Sequence, residues 1–410
     1  MLWLYNIGIQ LFGLILSVFS LFNKKAKLFV RGRTNIFADI QDRLDKNKRY
    51  IWFHFASLGE FEQGRPVLEK IKEQFPQKHV VITFFSPSGY EVRKNYPLAD
   101  GVFYLPLDTA NNAKKFVSIV NPELVVFTKY EYWYHYFNTL KSLGIPLFMI
   151  SAIFRPNQVF FKPYGALNRT ILGFVDFFFV QNEESKKLLA AIGIEKAVVS
   201  GDTRFDRVAE NALNPKRIAL IAKFCNATPT LIAGSTWRED ERLLSLLIAE
   251  NNHWKFVIAP HEIDDKHIAD IRQLIPGAVL FSKLADADHN AQVLIIDNIG
   301  LLSSIYQYGS IAYIGGGFGA GIHNTLEAAA FGLPVVFGPK YDKFQEAKDL
   351  IDLQAAISIN DQHELKKAFL QFSSDGNKAG IISKEYVAAK KGSTEQIITY
   401  ISKHLKTSPD

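Results

Sequence analysis

The chain has 410 residues, 48% hydrophobic and 21% charged, with 26 Gly, 16 Pro and one cysteine, Cys225. That length supports two or three domains with their own cores, and the composition excludes a disordered or collagen-like chain. One cysteine excludes an intramolecular disulfide framework and any cysteine-cluster zinc or iron–sulfur site. The net charge of +6 sits entirely at the start, where residues 1–50 hold nine Lys/Arg against three Asp. Residues 51–410 hold 38 of each sign. A nucleic-acid reader carries a basic stripe on its folded body, so no nucleic-acid partner is predicted.

Residues 1–23 contain no Asp, Glu, Lys, Arg or His. As a helix they are long enough for a hydrocarbon core of about 30 Å. A signal peptide would need a basic start, a shorter apolar core and a small-residue cleavage site, and none is present. Asn6, Gln10, Gly13, Ser17 and Ser20 recur at steps of three and four and share one helix face. An interfacial helix usually carries cations on that face. This one has none, so the pattern favours a single spanning anchor over an interfacial one. In both cases the cluster from Lys24 to Arg33 faces the cytoplasm and its anionic lipids.

Short runs rich in β-branched and aromatic residues follow at 50–57, 79–86, 101–107, 124–128, 146–153, 176–180 and 197–200. Segments with helical spacing lie between them, as at 60–75, 109–120 and 183–191. The alternation pauses over 203–228 and restarts at 230–234, 255–260, 278–282, 293–297, 311–315 and 334–338. Near-continuous apolar strands alternating with helices predict parallel sheets covered on both faces. The expected architecture is α/β: an anchor helix over 1–23, a doubly wound domain over 24–205, a linker over 206–228 and a second such domain over 229–410. The last helical stretch, about 383–405, can pack on either domain. Ligands of such sheets bind beyond the carboxyl ends of the strands, so two facing domains predict a cleft.

Candidate site residues follow strands. Ser57-Leu58-Gly59-Glu60 opens a helix after the first body strand, where Ser57 and Glu60 make either a capping box or a base site. Ser86-Pro87-Ser88-Gly89 is either an ordinary turn or a loop offering N–H groups to an anion. Gly315-Gly316-Gly317-Phe318-Gly319-Ala320-Gly321 precedes His323-Asn324-Thr325-Leu326-Glu327. Its glycines miss the G-x-G-x-x-G spacing, so a nicotinamide oxidoreductase is disfavoured, and no P-loop is present. Backbone there could approach a phosphate, and Glu327 is placed to accept from ribose hydroxyls. His261-Glu262 lacks the second histidine of a zinc protease motif. Asp286-Ala287-Asp288 resembles a D-x-D metal motif in a polar loop. The aromatics around Trp133 fit packing better than sugar stacking.

These pieces resemble the 3-deoxy-D-manno-octulosonic acid (Kdo) transferases of lipopolysaccharide synthesis. Ser57–Glu60 is similar to the family's S-[VL]-G-E, and Ser86–Gly89 to its T-P-T-G loop. Leu105-Pro106-Leu107-Asp108, Glu131 with Trp133, and Gly201-Asp202-Thr203-Arg204-Phe205-Asp206 match further motifs in order. So do Gly234-Ser235-Thr236, His323-Asn324 with Glu327, and Phe337-Gly338-Pro339. Lys129 stands where the family has a glutamate, and His261 where it has an arginine. The glycine loop is shorter and lacks the family's arginine, and Thr325 and Ala328 replace prolines.

The resemblance implies two Rossmann-like domains of the GT-B type and transfer of Kdo from CMP-Kdo to a lipid A precursor, with inversion. It assigns Glu60 as general base, ionised below neutral pH, and Glu131 as a second catalytic residue. It puts Arg204, Ser235, Thr236, His261, Gly316, Gly317, His323, Asn324 and Glu327 on CMP-Kdo, with the phosphate at a helix starting near His323. Ser57, Gly59, Ser86, Ser88 and Gly89 fall to the acceptor side. No metal and no cofactor is expected beyond the donor. The enzyme would work on the cytoplasmic face of the inner membrane, against its anionic lipids. Removing residues 1–22 is then expected to lower membrane recovery more than turnover on detergent-dispersed acceptor. The rivals are a UDP-sugar transferase or epimerase and a non-catalytic nucleotide-binding membrane protein.

Overall fold

The computed structural model describes residues 1–284 and 291–406. Seven strands build a first sheet: β1 (Tyr50–Phe55), β2 (His79–Phe84), β3 (Gly101–Tyr104), β4 (Pro122–Thr128), β5 (Leu147–Ala152), β6 (Phe177–Val180) and β7 (Ala197–Val199). A second holds β8 (Thr230–Thr236), β9 (Lys255–Pro260), β10 (Val279–Leu280), β11 (Val293–Ile295), β12 (Ile311–Ile314), β13 (Val335–Phe337) and β14 (Ala356–Ser358). Their orders are β3-β2-β1-β4-β5-β6-β7 and β10-β11-β9-β8-β12-β13-β14. Every pairing is parallel. All six positions of β1 and all seven of β4 are buried, as strands covered on both faces must be. Both sheets are doubly wound and Rossmann-like. The order reverses between β1 and β4 in the first sheet and between β8 and β12 in the second.

The chain divides into two compact units. Residues 1–206 form the first together with the segment from Lys391 onward, and Arg207–Lys390 forms the second. The stretch read as one terminal helix is two, Gln362–Lys390 and Ser393–Lys406. Gly392, at φ +115°, turns the chain between them. Asp206 holds this turn by accepting from the N–H groups of Gly392 and Thr394. Ile397, Ile398, Ile401 and Leu405 then join Ile51, Phe53, Ile82 and Val126 in one cluster of the first unit. The polar stretch 206–228 is largely helical, from Thr203–Leu213 and Ala219–Cys225.

Helices α1 (Leu2–Phe19), α2 (Lys24–Arg31) and α3 (Ile36–Arg43) precede the first sheet. Helices α4 (Leu58–Gln74), α5 (Pro87–Arg93), α6 (Ala110–Val120) and α7 (Tyr134–Ser142) follow β1 to β4 in turn. α1 is long and apolar enough to cross a membrane. Yet it lies lengthwise against the first unit. Leu2, Tyr5, Asn6, Ile9, Gly13, Leu16 and Ser20 are half-buried at helical spacing, and Phe12 packs on Phe29 and Phe85. Trp3, Leu4, Ile7, Leu11, Leu14, Ile15, Val18 and Phe19 are exposed on the rest of the helix.

Within the basic cluster Arg33 departs from expectation. Its guanidinium donates to the carbonyls of Phe29, Phe85 and Leu105 and sits 3.5 Å from the Phe29 ring centroid. Burial pushes its pKa down to about 9. Arg33 therefore ties α2 to the ends of β2 and β3, while Lys24, Lys25, Lys27 and Arg31 remain exposed.

α4 packs on β1 and β4 with almost no clearance. A Cβ at Gly64 would meet Phe55 Cε1 at 2.3 Å and Thr128 Oγ1 at 2.9 Å. Gly64→Ala is expected to destabilise the fold by about 1–3 kcal/mol through overpacking. A lowered urea midpoint at unchanged slope would show this, and an unchanged midpoint would contradict it.

Candidate functional site

The loops after β1 and β4 meet where the first sheet reverses its order, the place where open α/β sheets bind ligands. Glu60 enters from the first turn of α4. Its Oε2 accepts the Ala56 N–H at 2.5 Å, while Ser57 makes no side-chain cap. The expected capping box is thus not formed, because the carboxylate reaches past Ser57 to the residue before it. Burial, then the nearby charge of Glu131, push the Glu60 carboxyl up to about 7. The Ala56 and Ser57 N–H groups and Lys129 partly offset this. A carboxyl with its pKa below neutral was expected; desolvation brings it up to neutral.

Glu131 comes from the β4 side. Its Oε2 accepts from Trp133 Nε1 at 2.8 Å and lies 3.1 Å from His54 Nε2. His54 is fully buried in β1, with Nδ1 2.8 Å from Thr83 Oγ1. Thr83 in turn accepts from Trp52 Nε1 at 2.7 Å. A carboxylate only accepts, so His54 donates from Nε2 to Glu131, and Nδ1 of the neutral ring takes the Thr83 hydroxyl proton. Burial lowers the His54 pKa and keeps the ring neutral. Sequence reasoning missed His54, although a histidine inside the apolar run YIWFHF was the available signal.

Lys129, at φ +66°, is a non-glycine residue in the left-handed region, a conformation that clusters at functional sites. Its charge reaches both Glu60 and Asp202. Lys129→Met is expected to raise the Glu60 pKa further and move the acid limb of activity to higher pH, by up to about one unit. A pH–rate profile with an unmoved limb would contradict this. Arg204 lies in the first unit, where its Nε and Nη2 both reach Asp202 Oδ2 at 2.9 Å. Asp202 also accepts from Gln63. Arg155 bonds the Tyr130 hydroxyl, and Arg204 adds positive charge to it.

Ser86 and Ser88 hydroxyls lie 2.6 Å apart at the start of α5. Gly89 is dictated by packing, since a Cβ there would meet Phe84 Cδ1 at 2.2 Å. At Gly59 a Cβ would meet only Ser57 Oγ at 3.9 Å, so the first turn of α4 is open to close approach. Tyr132, Tyr134 and Tyr136 pack against rings of the first unit. Trp133 packs on Phe85 at 5.0 Å between centroids.

In the second unit the loops after β8 and β12 meet at the corresponding reversal. Gly315 and Gly317 are required by close backbone approach: added Cβ atoms would meet Ser235 O at 2.3 Å and Gly338 Cα at 2.6 Å. The Gly316 N–H is committed to Asp240 Oδ2, which also accepts from Trp237 N. Thr236 donates to the buried Glu241, so its side chain is structural in this arrangement. Ser235 takes φ +55° at the bulge where β8 leaves register with β9.

The helix expected near His323 begins instead at Leu326 and spans five residues, Leu326–Ala330. Asn324 Oδ1 accepts the Leu326 N–H, and its amide donates to Glu327 Oε1. His323, His261 and Trp237 form a ladder of rings with centroids 4.4 and 4.7 Å apart. Trp237 Nε1 donates to His323 Nε2 at 3.2 Å, and burial, then His261, lower the His323 pKa to about 4. The ladder lines a cavity of about 580 Å³ together with Phe318 and Glu262. Trp237 and Asp240 were not singled out from the sequence.

Glu262, Asp264 and His267 place one potential metal-ligand atom each within 4.8 Å of one another. Both His267 nitrogens are already engaged, with Glu262 O and Glu241 Oε2. That donor set is poorly suited to a metal without rearrangement. Asp286-Ala287-Asp288 lies outside the described residues.

Residues 31–207 match the family described as 3-deoxy-D-manno-octulosonic-acid transferase (kdotransferase). The 3-deoxy-D-manno-octulosonic acid transferase of Chlamydia trachomatis serovar A is 28% identical over 349 residues, covering 82% of this chain and 80% of that protein. That of Haemophilus influenzae is 25% identical over 375 residues, covering 87% of each. Among solved structures, the UDP-GlcNAc 2-epimerase of Neisseria meningitidis superposes with a TM-score of 0.60 at 16% identity. It covers 86% of this chain and 100% of that one, a likeness that shows the fold alone.

Proposed function

We propose that the chain is a member of the Kdo transferase family, glycosyltransferases of lipopolysaccharide synthesis, and that it transfers Kdo from CMP-Kdo to a lipid A precursor, with Glu60 as general base. The observation that carries the reading is the juxtaposition of Glu60 and Glu131 at the reversal of the first sheet, with Glu60 pushed up to about 7. A base poised there takes a proton efficiently at neutral pH.

In this reading Glu60 removes the proton from the acceptor hydroxyl as its oxygen attacks the anomeric carbon of Kdo. The bond from that carbon to the phosphate oxygen breaks on the opposite face, which inverts the configuration, and CMP leaves with the bonding pair. Lys129, Arg155 and Arg204 are the cations that would meet the substrates' phosphates. In the second unit the Trp237–His261–His323 ladder offers the nucleotide an aromatic wall, and Glu327 offers ribose an acceptor. The protein's own cations and N–H groups supply the countercharge, so transfer should survive EDTA.

The exposed apolar side of α1 and the cations Lys24, Lys25, Lys27 and Arg31 suit an anionic bilayer. The half-buried stripe along α1 supports a helix lying in the interface rather than one leaving the body to span. The site would then work at the cytoplasmic face of the inner membrane, where an acylated acceptor resides.

The test is product mass. The full-length protein in nanodiscs is given tetraacylated lipid A precursor with CMP-Kdo or with UDP-GlcNAc. A product heavier by one or more Kdo units, from CMP-Kdo alone, is expected. Turnover of UDP-GlcNAc, or no Kdo product despite saturable CMP binding, would overturn the reading.

A further inference from the structure

The first three N–H groups of α7 have no partner inside the helix, and Trp133 at its N-cap position supplies no side-chain acceptor. The acceptors arrive from two distant parts of the chain. Asp108, buried beyond β3, takes the His135 N–H on Oδ2 and the Tyr136 N–H on Oδ1, each at 2.9 Å. The Tyr5 hydroxyl of α1 donates to the same Asp108 Oδ2 and accepts the Tyr134 N–H at 3.3 Å. One residue further along α1, Asn6 Oδ1 lies 2.7 Å from His135 Nε2. The Tyr5 ring also packs on Tyr134 and His135, at centroid distances of 6.1 and 6.0 Å.

α7 begins one residue after Trp133, whose indole holds Glu131. The segment Glu131–Trp133 is thus pinned at both ends, by His54 on β1 and by the capped start of α7. We infer that α1 is a working part of the transfer site: Tyr5, with Asp108, caps α7 and so positions Glu131 beside Glu60. Tyr5 and Asn6 are positioning residues, acting through α7 and touching no reacting atom. This rests on the roles proposed above for Glu60 and Glu131.

A helix that served only as an anchor would tolerate any change preserving its outer apolar face. Here the inward stripe carries a separate requirement, so removing residues 1–22 should cut turnover as well as membrane recovery. Detergent-dispersed acceptor should not restore the rate.

The experiment uses the full chain in phosphatidylethanolamine–phosphatidylglycerol nanodiscs, unaltered or carrying Tyr5→Phe, Asn6→Ala or Glu60→Gln. Tyr5→Phe keeps the ring and deletes only the hydroxyl. It should lower kcat about tenfold, leave KM for CMP-Kdo within twofold and leave membrane retention unchanged. Amide hydrogen exchange at Tyr134–Tyr136 should quicken in the same protein. Asn6→Ala should do the same more weakly. Unchanged exchange would overturn the cap, and faster exchange with unchanged kcat would overturn its role at the site. If the unaltered chain transferred no Kdo, the functional reading would fall with the positioning role, and exchange would still decide whether Tyr5 caps α7.

Discussion

Glu60→Gln should abolish Kdo transfer, by roughly 10²–10⁴-fold in kcat, and leave CMP binding unchanged. The amide oxygen can still accept the Ala56 N–H, so the first turn of α4 keeps its geometry and only the basicity is lost. The unaltered protein should show activity rising with pH through about 7, because the proposed base must be deprotonated and its pKa is raised to that value. The same shift acts on stability. A carboxyl that titrates near 7 in the fold against 4.5 ordinarily binds its proton more tightly when folded. Its contribution is complete below about 4.5 and is lost as pH rises through about 7. Glu60→Gln should therefore be more stable than the unaltered protein at pH 8, by up to about 2 kcal/mol given partial exposure, and no more stable at pH 4. Paired thermal melts at the two pH values would show this. An active Glu60→Gln protein would remove Glu60 from the base role, whatever its stability.

Replacing Ile7, Leu11, Leu14 and Val18 together by serine should release the protein from membranes while sparing transfer to detergent-dispersed acceptor. All four are exposed, between 51% and 62%. At about 1 kcal/mol of lost apolar transfer for each, the four should lower partitioning on the order of a thousandfold. The residual attraction of Lys24, Lys25, Lys27 and Arg31 to anionic lipid should then be sensitive to salt. Flotation with liposomes at low and high salt would measure both. Unchanged flotation would mean that this face does not meet the bilayer. Set beside Tyr5→Phe, this variant separates the two sides of one helix: attachment should follow the outer face and the rate the inner face.

Both sheets were legible because parallel strands buried on two sides have a simple signature. The runs at 50–57, 124–128 and 255–260 correspond to β1, β4 and β9, with ends differing by two residues or fewer. β14 was not, because Ala356-Ile357-Ser358 offers a single bulky apolar side chain and so makes no apolar run. The final helical stretch was visible, but its break at Gly392 and its return to the first unit depend on Asp206, nearly two hundred residues away. At the candidate site, the positions of Glu60 and Glu131 after strands were readable from local pattern. Their partners were not. His54, Thr83 and Trp52 line up only when β1 and β2 pair in register, His54 opposite Thr83. The glycine loop misled in detail: its glycines answer to close packing on Ser235 and Gly338, and one N–H expected for a phosphate already serves Asp240. Likewise, composition marked α1 as apolar but could not show that its sparse polar face was already spoken for.

The return of Ser393–Lys406 to the first unit has a consequence for biosynthesis. Ile397, Ile398, Ile401 and Leu405 close an apolar cluster whose other members, such as Ile51 and Phe53, leave the ribosome much earlier. At about 5–20 residues per second, the second unit takes roughly 10–40 s to translate. Through that interval the first-made half of the protein stays open along one face. Native closure of the earlier half thus waits for the later one, which exposes the nascent chain to chaperones and to the membrane surface before the enzyme is complete.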